Sequence, residues 1–164
     1  MALGLQDQEG TIRVTSEGDW LHDDAPVAEP VASLFRRHVT VGEEGHYVID
    51  WQQQRQRVQV DDAAFFVRQV HVDAKRDALK RVRLALSDGS EESLDASTLM
   101  QSDDNVLYCR IDRNGFSVPC RFDRAQYHAL AAWVEEGDDA YVLPLADQAF
   151  PIQPYDGQPR RLDA

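Results

Sequence analysis

One pattern occurs twice in this chain, and no other feature constrains its fold as strongly. From Ile12 to about Val60, and again from Val106 to about Ile152, the sequence reads as a β-hairpin, a helix and a second hairpin. Ile12-Arg13-Val14 leads to a turn at Gly18, and Cys109-Arg110-Ile111 leads to a turn at Gly115. Arg13 and Arg110 are separated by 110 − 13 = 97 positions, and Gly18 and Gly115 by the same 97. A Tyr-Val pair opens a strand after each helix, Tyr47-Val48 and Tyr141-Val142, at a separation of 141 − 47 = 94. An internal repeat sets architecture before any motif is considered. The expected fold class is α+β, with two related hairpin–helix–hairpin halves and antiparallel sheets.

The repeat divides the chain into an N-terminal α+β repeat at 11–62, a β-rich C-terminal half with one helix at 63–153, and a tail at 154–164. Residues 1–10 are polar and expected to be loose. The first helix is expected over Val31–Val39, with Pro30 in its first turn and Leu34, Phe35 and His38 at helical spacing. His46–Trp51 and Gln56–Val60 form a hairpin across a polar Gln52–Arg55 connection. Phe65–Val72 and Leu79–Leu86 read as two long strands, because Val82, Leu84 and Leu86 alternate with Arg81, Arg83 and Ala85. A second helix is expected after Asp123, an N-cap residue, with Tyr127, Leu130, Ala131 and Val134 on one face. Ala140–Leu143 and Gln148–Ile152 close the fold. Pro154, Gly157 and Pro159 mark the tail.

Asn114-Gly115 supplies a register. Asn-Gly favours a two-residue type I′ turn, which places Arg113 opposite Phe116, Ile111 opposite Val118, and Cys109 opposite Cys120. Leu107, Cys109 and Ile111 then share an apolar face with Phe116, Val118, Cys120 and Phe122. The two cysteines are close enough for a disulfide, but an apolar face and a reducing compartment favour two packed thiols.

The net charge of −12 argues against nonspecific nucleic-acid binding, since phosphate backbones are repelled overall. The charge is uneven: Arg68, Lys75, Arg76, Lys80, Arg81 and Arg83 crowd one stretch, and acidic runs fill apparent turns. No apolar run reaches membrane-spanning length. Met1–Asp7 lacks a basic segment followed by an apolar core, so a cytoplasmic protein without membrane insertion is expected.

Sites of chemistry are sparse. Adjacent Asp61 and Asp62 point to opposite faces of extended chain, so a shared acid–base or metal centre is disfavoured, and the plain reading has one of them capping nearby backbone N–H groups. His22-Asp23-Asp24 and His71-x-Asp73 offer too few ligands for a metal and read as solvated surface. Neither a nucleophile elbow nor a Gly-rich phosphate loop occurs, so no cofactor and no catalytic residue is assigned. Arg81 and Arg83 project from one face of their strand, with Arg68 on its neighbour. Several guanidinium groups on a rigid face suit anion recognition, against the plain reading of a solvated sheet face. Trp20 belongs either to the core or to a groove between the halves.

Several segments in order resemble the bacterial "domain of unknown function 1285" family. They are Glu17-Gly18-Asp19-Trp20, Asp24-Ala25-Pro26-Val27, Val31-Ala32-Ser33-Leu34-Phe35, Val60-Asp61-Asp62-Ala63-Ala64-Phe65 and, more loosely, Arg113–Val134. The likeness spans roughly Ile12 to Ile152. It departs where Ala64 replaces a proline, where Ala28-Glu29 replaces a basic residue, and at Trp51-Gln52-Gln53-Gln54. The resemblance implies a duplicated fold whose C-terminal half is similar to pleckstrin-homology-like partial barrels. It also implies a ligand site in the groove between halves and a part in bacterial signalling.

The expected function is a binding protein that takes a small or polymeric anionic ligand, or a protein partner, at the junction of its halves. Trp20, Asp62, Arg68, Arg81, Arg83 and Arg121 are the expected ligand-binding residues. Trp20 would supply stacking area, Asp62 would orient a donor, and the arginines would neutralise charge. The alternative is an interaction scaffold that uses exposed strand edges. A hydrolase comes third. Oligomeric state is left open.

Overall fold

Five tight turns set the strand register of this protein. A computed structural model describes residues 10–162. The expected loose N-terminus, apart from Gly10, and the last two positions of the expected tail lie outside the described residues.

The first sheet is built from β1 (Ile12–Val14), β2 (Trp20–His22), β3 (Ala25–Pro26), β4 (Val39–Val41), β5 (Tyr47–Trp51) and β6 (Gln54–Val60), in the order β3-β2-β1-β6-β5-β4. Helix α1 (Glu29–His38) precedes β4. It starts two residues earlier than expected because Glu29 and Pro30 already occupy its first turn, and it ends at His38 because Val39 turns extended into β4. Its fully buried side chains are Ala32 and Phe35, with Val31 packed beside them, rather than the expected row of Leu34, Phe35 and His38. Glu29 in the first turn and Arg36, Arg37 and His38 in the last match the helix dipole.

The second sheet contains β7 (Phe65–Lys75), β8 (Ala78–Leu86), β9 (Glu91–Ser93), β10 (Met100–Gln101), β11 (Leu107–Arg113) and β12 (Phe116–Phe122). Helix α2 (Arg124–Ala131) follows, then a separate sheet of β13 (Glu135–Glu136), β14 (Tyr141–Leu145) and β15 (Gln148–Pro151). Two short strands follow, β16 (Gln153–Pro154) and β17 (Arg160–Arg161). The large sheet runs β16-β10-β11-β12-β7-β8-β9, with β17 on β12. Pairing is mostly antiparallel, but β1–β6, β12–β7 and β10–β16 are parallel. The expected antiparallel sheets are present, and the three parallel pairs join strands distant in sequence.

The β11–β12 register is the expected one: Cys109 faces Cys120, Ile111 faces Val118 and Arg113 faces Phe116. Asn114 (φ 51°) and Gly115 (φ 82°) take the positive φ values a type I′ turn demands. Both cysteines are buried free thiols. Four more hairpins use two-residue turns with both φ positive, at Asp23-Asp24, Gln52-Gln53, Arg76-Asp77 and Ala146-Asp147. These shorten the expected Gln52–Arg55 connection and extend the long strands to Lys75 and Ala78.

One apolar cluster unites the molecule, with Phe35, Phe65, Ile12, Ile49, Leu84, Leu99, Leu130 and Leu143 among its fully buried side chains. Each such side chain contributes roughly 1.5–3 kcal/mol by leaving water. The expected tail is corrected. Gln153–Pro154 and Arg160–Arg161 pair with β10 and β12, so the segment is strapped across the domain. Unpaired main chain at the edges of β10 and β12 gives it partners that composition could not reveal.

Candidate functional site

The connector 61–64 joins β6 to β7 and therefore lies where the first sheet hands over to the second. The chain bends at Asp61 and Asp62, and the two carboxylates go to different partners. Asp61 meets Arg13 on β1, with Nε donating to Oδ1 at 2.9 Å and Nη2 to Oδ2 at 2.7 Å. Asp62 turns toward the second sheet and collects three donors. The Tyr108 hydroxyl donates to Oδ2 at 2.6 Å, Arg121 Nη1 donates to Oδ2 at 2.8 Å, and the Tyr155 hydroxyl donates to Oδ1 at 2.9 Å. The expected capping of backbone N–H groups is thus replaced by side-chain partners for both carboxylates.

The register explains the convergence. Tyr108 on β11 and Arg121 on β12 are cross-strand neighbours, so one face of the hairpin presents both to Asp62. Tyr155 arrives with the strap; its N–H donates to Gln101 O at 3.1 Å. Its ring stacks on Tyr108 with centroids 4.0 Å apart and planes 18° from parallel. Burial, then the Asp62 carboxylate that each phenol serves, pushes Tyr108 and Tyr155 well above the usual phenol value. Burial does the same to Tyr47 on β5. Among the described residues the buried Tyr47 hydroxyl finds no hydrogen-bond partner.

Arg110 fastens the strap. Nη2 donates to Asp156 O at 2.5 Å and Gln158 O at 3.0 Å, while Nη1 donates to Ser117 O at 3.0 Å. Burial, followed by nearby Arg160, lowers its pKa from the ordinary guanidinium value.

Three clefts open around this cluster. One of about 720 Å³ contains Asp61, Asp62, Asp103, Asp104, Tyr108, Arg121 and Tyr155. A second of about 470 Å³ shares Asp61, Asp62 and Tyr155 with it and adds Tyr47 and Arg57. A third of about 450 Å³ shares Asp104 and Arg121 with the first and reaches α2 at Tyr127 and His128. The first is acidic: it holds four aspartates and one arginine, and that arginine is already matched to Asp62.

Of the residues expected from sequence, the fold brings Asp62 and Arg121 into contact. Arg68 lies over the Phe66 ring, 5.0 Å from its centroid, and pairs with Asp123 at 3.0 Å. Asp123 is thereby engaged by Arg68 and makes no side-chain cap on α2. Trp20 is core, 4% exposed and 5.6 Å from the Phe35 ring, so its expected stacking surface does not line the clefts around Asp62. Apolar area of that size is buried wherever two layers can close over it. Arg81 and Arg83 stand exposed on β8, outside the clefts around Asp62. Sequence reasoning missed Tyr47, Tyr108, Tyr155 and Arg110. A tyrosine inside an otherwise polar, Pro- and Gly-containing tail was the available signal for Tyr155.

His22-Asp23-Asp24 is used internally. Asp23 Oδ1 accepts the Thr11 N–H at 2.8 Å, and Asp24 pairs with Arg13 at 3.4 Å. Among the described residues no three His, Cys, Asp or Glu side chains are grouped to hold a metal ion. Among the same residues no helix is long and apolar enough to cross a membrane.

The architecture matches two solved structures. A DUF1285 family protein from Silicibacter pomeroyi DSS-3 superimposes with a TM-score of 0.69 at 18% identity, covering 89% of this chain and 82% of that one. The chain has the DUF1285 fold. A DUF1285 family protein from Shewanella baltica OS155 gives a TM-score of 0.57 at 19% identity, covering 76% of this chain and 93% of its own. No family model and no curated protein matches the sequence.

Proposed function

We propose that this chain is a DUF1285 family member and a non-catalytic binding module whose ligand site is the seam around Asp62. One observation carries the reading: a single carboxylate between the two sheets gathers two stacked tyrosines and an arginine, with open clefts on both sides. Such convergent polar groups in a concavity are the usual mark of a recognition site. The charge around them narrows the ligand. Arg121 and Arg68 are each matched to a carboxylate, and Asp103 and Asp104 add negative charge beside Asp62. A neutral or cationic group suits the seam better than the anion expected from sequence.

The finer architecture belongs to the same reading. Each half supplies a hairpin, a helix and three strands, β1–β2, α1 and β4–β6 against β11–β12, α2 and β13–β15. That order supports duplication. β6 runs on to pair with β1, whereas β16 is kept from β11 by the intervening β10. Strands β7 to β12 bring the last beside the first and lead directly into α2, which supports a pleckstrin-homology-like partial barrel. A cytoplasmic signalling role, implied by the family resemblance, goes with this reading.

A thermal-shift screen of the full chain against amines, guanidinium compounds, phosphates and acidic metabolites tests the seam. Stabilisation by a neutral or cationic compound that D62N abolishes is the expected result. Stabilisation that D62N leaves intact would remove the seam from consideration.

A second reading has its own observation. β12 pairs with β7 at Phe65–Val67, so among the described residues the outer edge of β7 from His71 onward has no strand partner. Lys75, Arg76, Arg81 and Arg83 on this hairpin are exposed. An acidic partner strand adding to that edge is the scaffold alternative.

A further inference from the structure

Residues 153–162 contact the rest of the protein in the way a bound peptide contacts its receptor. Main-chain bonds hold both ends: Gln153 N–H to Leu99 O at 2.9 Å, Tyr155 N–H to Gln101 O at 3.1 Å, and Leu162 N–H to Gly115 O at 2.8 Å. Arg110 grips two carbonyls between them. One side chain, Tyr155, enters a specific place, stacked on Tyr108 and bonded to Asp62. Main-chain bonds with one side-chain pocket are the recurring design of strand-like peptide recognition.

Two features mark this occupant as exchangeable. None of its side chains is fully buried, so little apolar area retains it, and such segments belong to the low-stability end of a fold. Its fit is also incomplete. The Tyr47 hydroxyl, on a residue only 9% exposed, is left without a partner beside the 470 Å³ cleft between strap and β5–β6. That hydroxyl interacts electrostatically with Asp62, which lines the same cleft. Buried hydroxyls normally have partners, so an acceptor is missing at this point.

Resting on the seam as the binding site, we propose that residues 153–162 are a displaceable occupant of a peptide groove. Its exchangeable ligand is an extended partner peptide that presents a tyrosine to Tyr108 and Asp62 and an acceptor to Tyr47. The tyrosine must be unmodified, because a phosphate would meet the Asp62 carboxylate. Residues before the tyrosine are neutral or basic, as Gln153 and Pro154 are, since Asp61, Asp103 and Asp104 line the approach; an acid is accepted after it, where Asp156 pairs with Arg110.

The test uses a fluorescent synthetic peptide, Gln-Pro-Tyr-Asp-Gly-Gln-Pro-Arg-Arg-Leu, copying residues 153–162, with the full chain and full-chain Y155A. Anisotropy should show Y155A binding at least tenfold tighter than wild type, because its own strap competes poorly. The Tyr→Phe peptide should bind several-fold more weakly, and the phosphotyrosine peptide should not bind. Equal binding by wild type and Y155A would overturn the proposal, as would a concentration-dependent dimer that binds no peptide, which would mean strap exchange between copies. Hydrogen exchange on wild type gives a second reading that needs no variant. The Gln153, Tyr155 and Leu162 amides should exchange at least tenfold faster than those of β11 and β12, and equal protection would make the strap permanent. If the strap proves permanent while small compounds still act through Asp62, only the exchange proposal fails and the seam stands.

Discussion

The Asp62 carboxylate accepts a hydrogen bond of 2.9 Å from the Tyr155 hydroxyl, 93 positions further along the chain. The same carboxylate holds Tyr108 and Arg121, so removing it orphans three donors at once. Orphaned polar groups cost more than the bonds they formed. Asp62→Ala should lower stability by about 2–3 kcal/mol, against about 1 kcal/mol for Tyr155→Phe, which leaves Asp62 two of its donors. Urea denaturation of both variants checks the ratio. Equal losses would mean that the three contacts do not act through one acceptor.

Alkaline pH should loosen the protein through its phenols. Tyr47, Tyr108 and Tyr155 all have folded values raised above the ordinary value of about 10, Tyr47 through burial and the other two through burial and Asp62. The folded state keeps protons that the unfolded chain releases, so this contribution is complete below pH 10 and is lost as pH rises through the folded values. Unfolding free energy measured from about pH 8 to 11.5 should fall above pH 10, with a shallower slope in Y155F. Tyrosinate absorbance should lag for these residues until the protein unfolds.

Gly157 makes room for the strap's aromatic contact. A Cβ built there would lie 2.5 Å from Tyr155 Cζ and would also collide with the hydroxyl. Gly157→Ala should therefore push the ring off Asp62 and cost about 1 kcal/mol, the worth of a lost hydrogen bond. In a Y155A background the same change should cost nearly nothing. A double-mutant cycle reads this as coupling between positions 155 and 157.

Trp20 and Arg81 should separate core from surface. Trp20→Ala should cost about 3–5 kcal/mol, the usual penalty for emptying a large aromatic site. Arg81→Ser, on an exposed strand position, should stay within about 0.5 kcal/mol of wild type. Thermal unfolding of both variants provides the comparison.

Legibility followed the range of the interactions involved. The Asn114-Gly115 hairpin was readable because its turn chemistry and apolar alternation lie within a few residues of each other. Asp23-Asp24, Gln52-Gln53, Arg76-Asp77 and Ala146-Asp147 adopt the same positive-φ turn without a glycine, so polar composition marks connections there but not their two-residue register. At the seam, Asp62 and Arg121 could be nominated from charge and position. Arg68 was equally eligible by those criteria, but the geometry gives it to Asp123. Tyr155 acquires its place only through β10 and β11, which lie more than 40 residues upstream. Trp20 stayed open between core and groove because sequence cannot say which aromatic a second layer will cover.

The strap also has a consequence in time. A chain emerging from the ribosome exposes Asp62 long before Tyr155 exists, and domains begin to fold from the N-terminal side. Until the last strands are made, Asp62 has only Tyr108 and Arg121 to meet, and the carbonyls that Arg110 will hold are absent. A product interrupted between Phe122 and Tyr155 would carry β1–β12 with an unfinished joint. The seam therefore closes late, after the strands that it joins have been made.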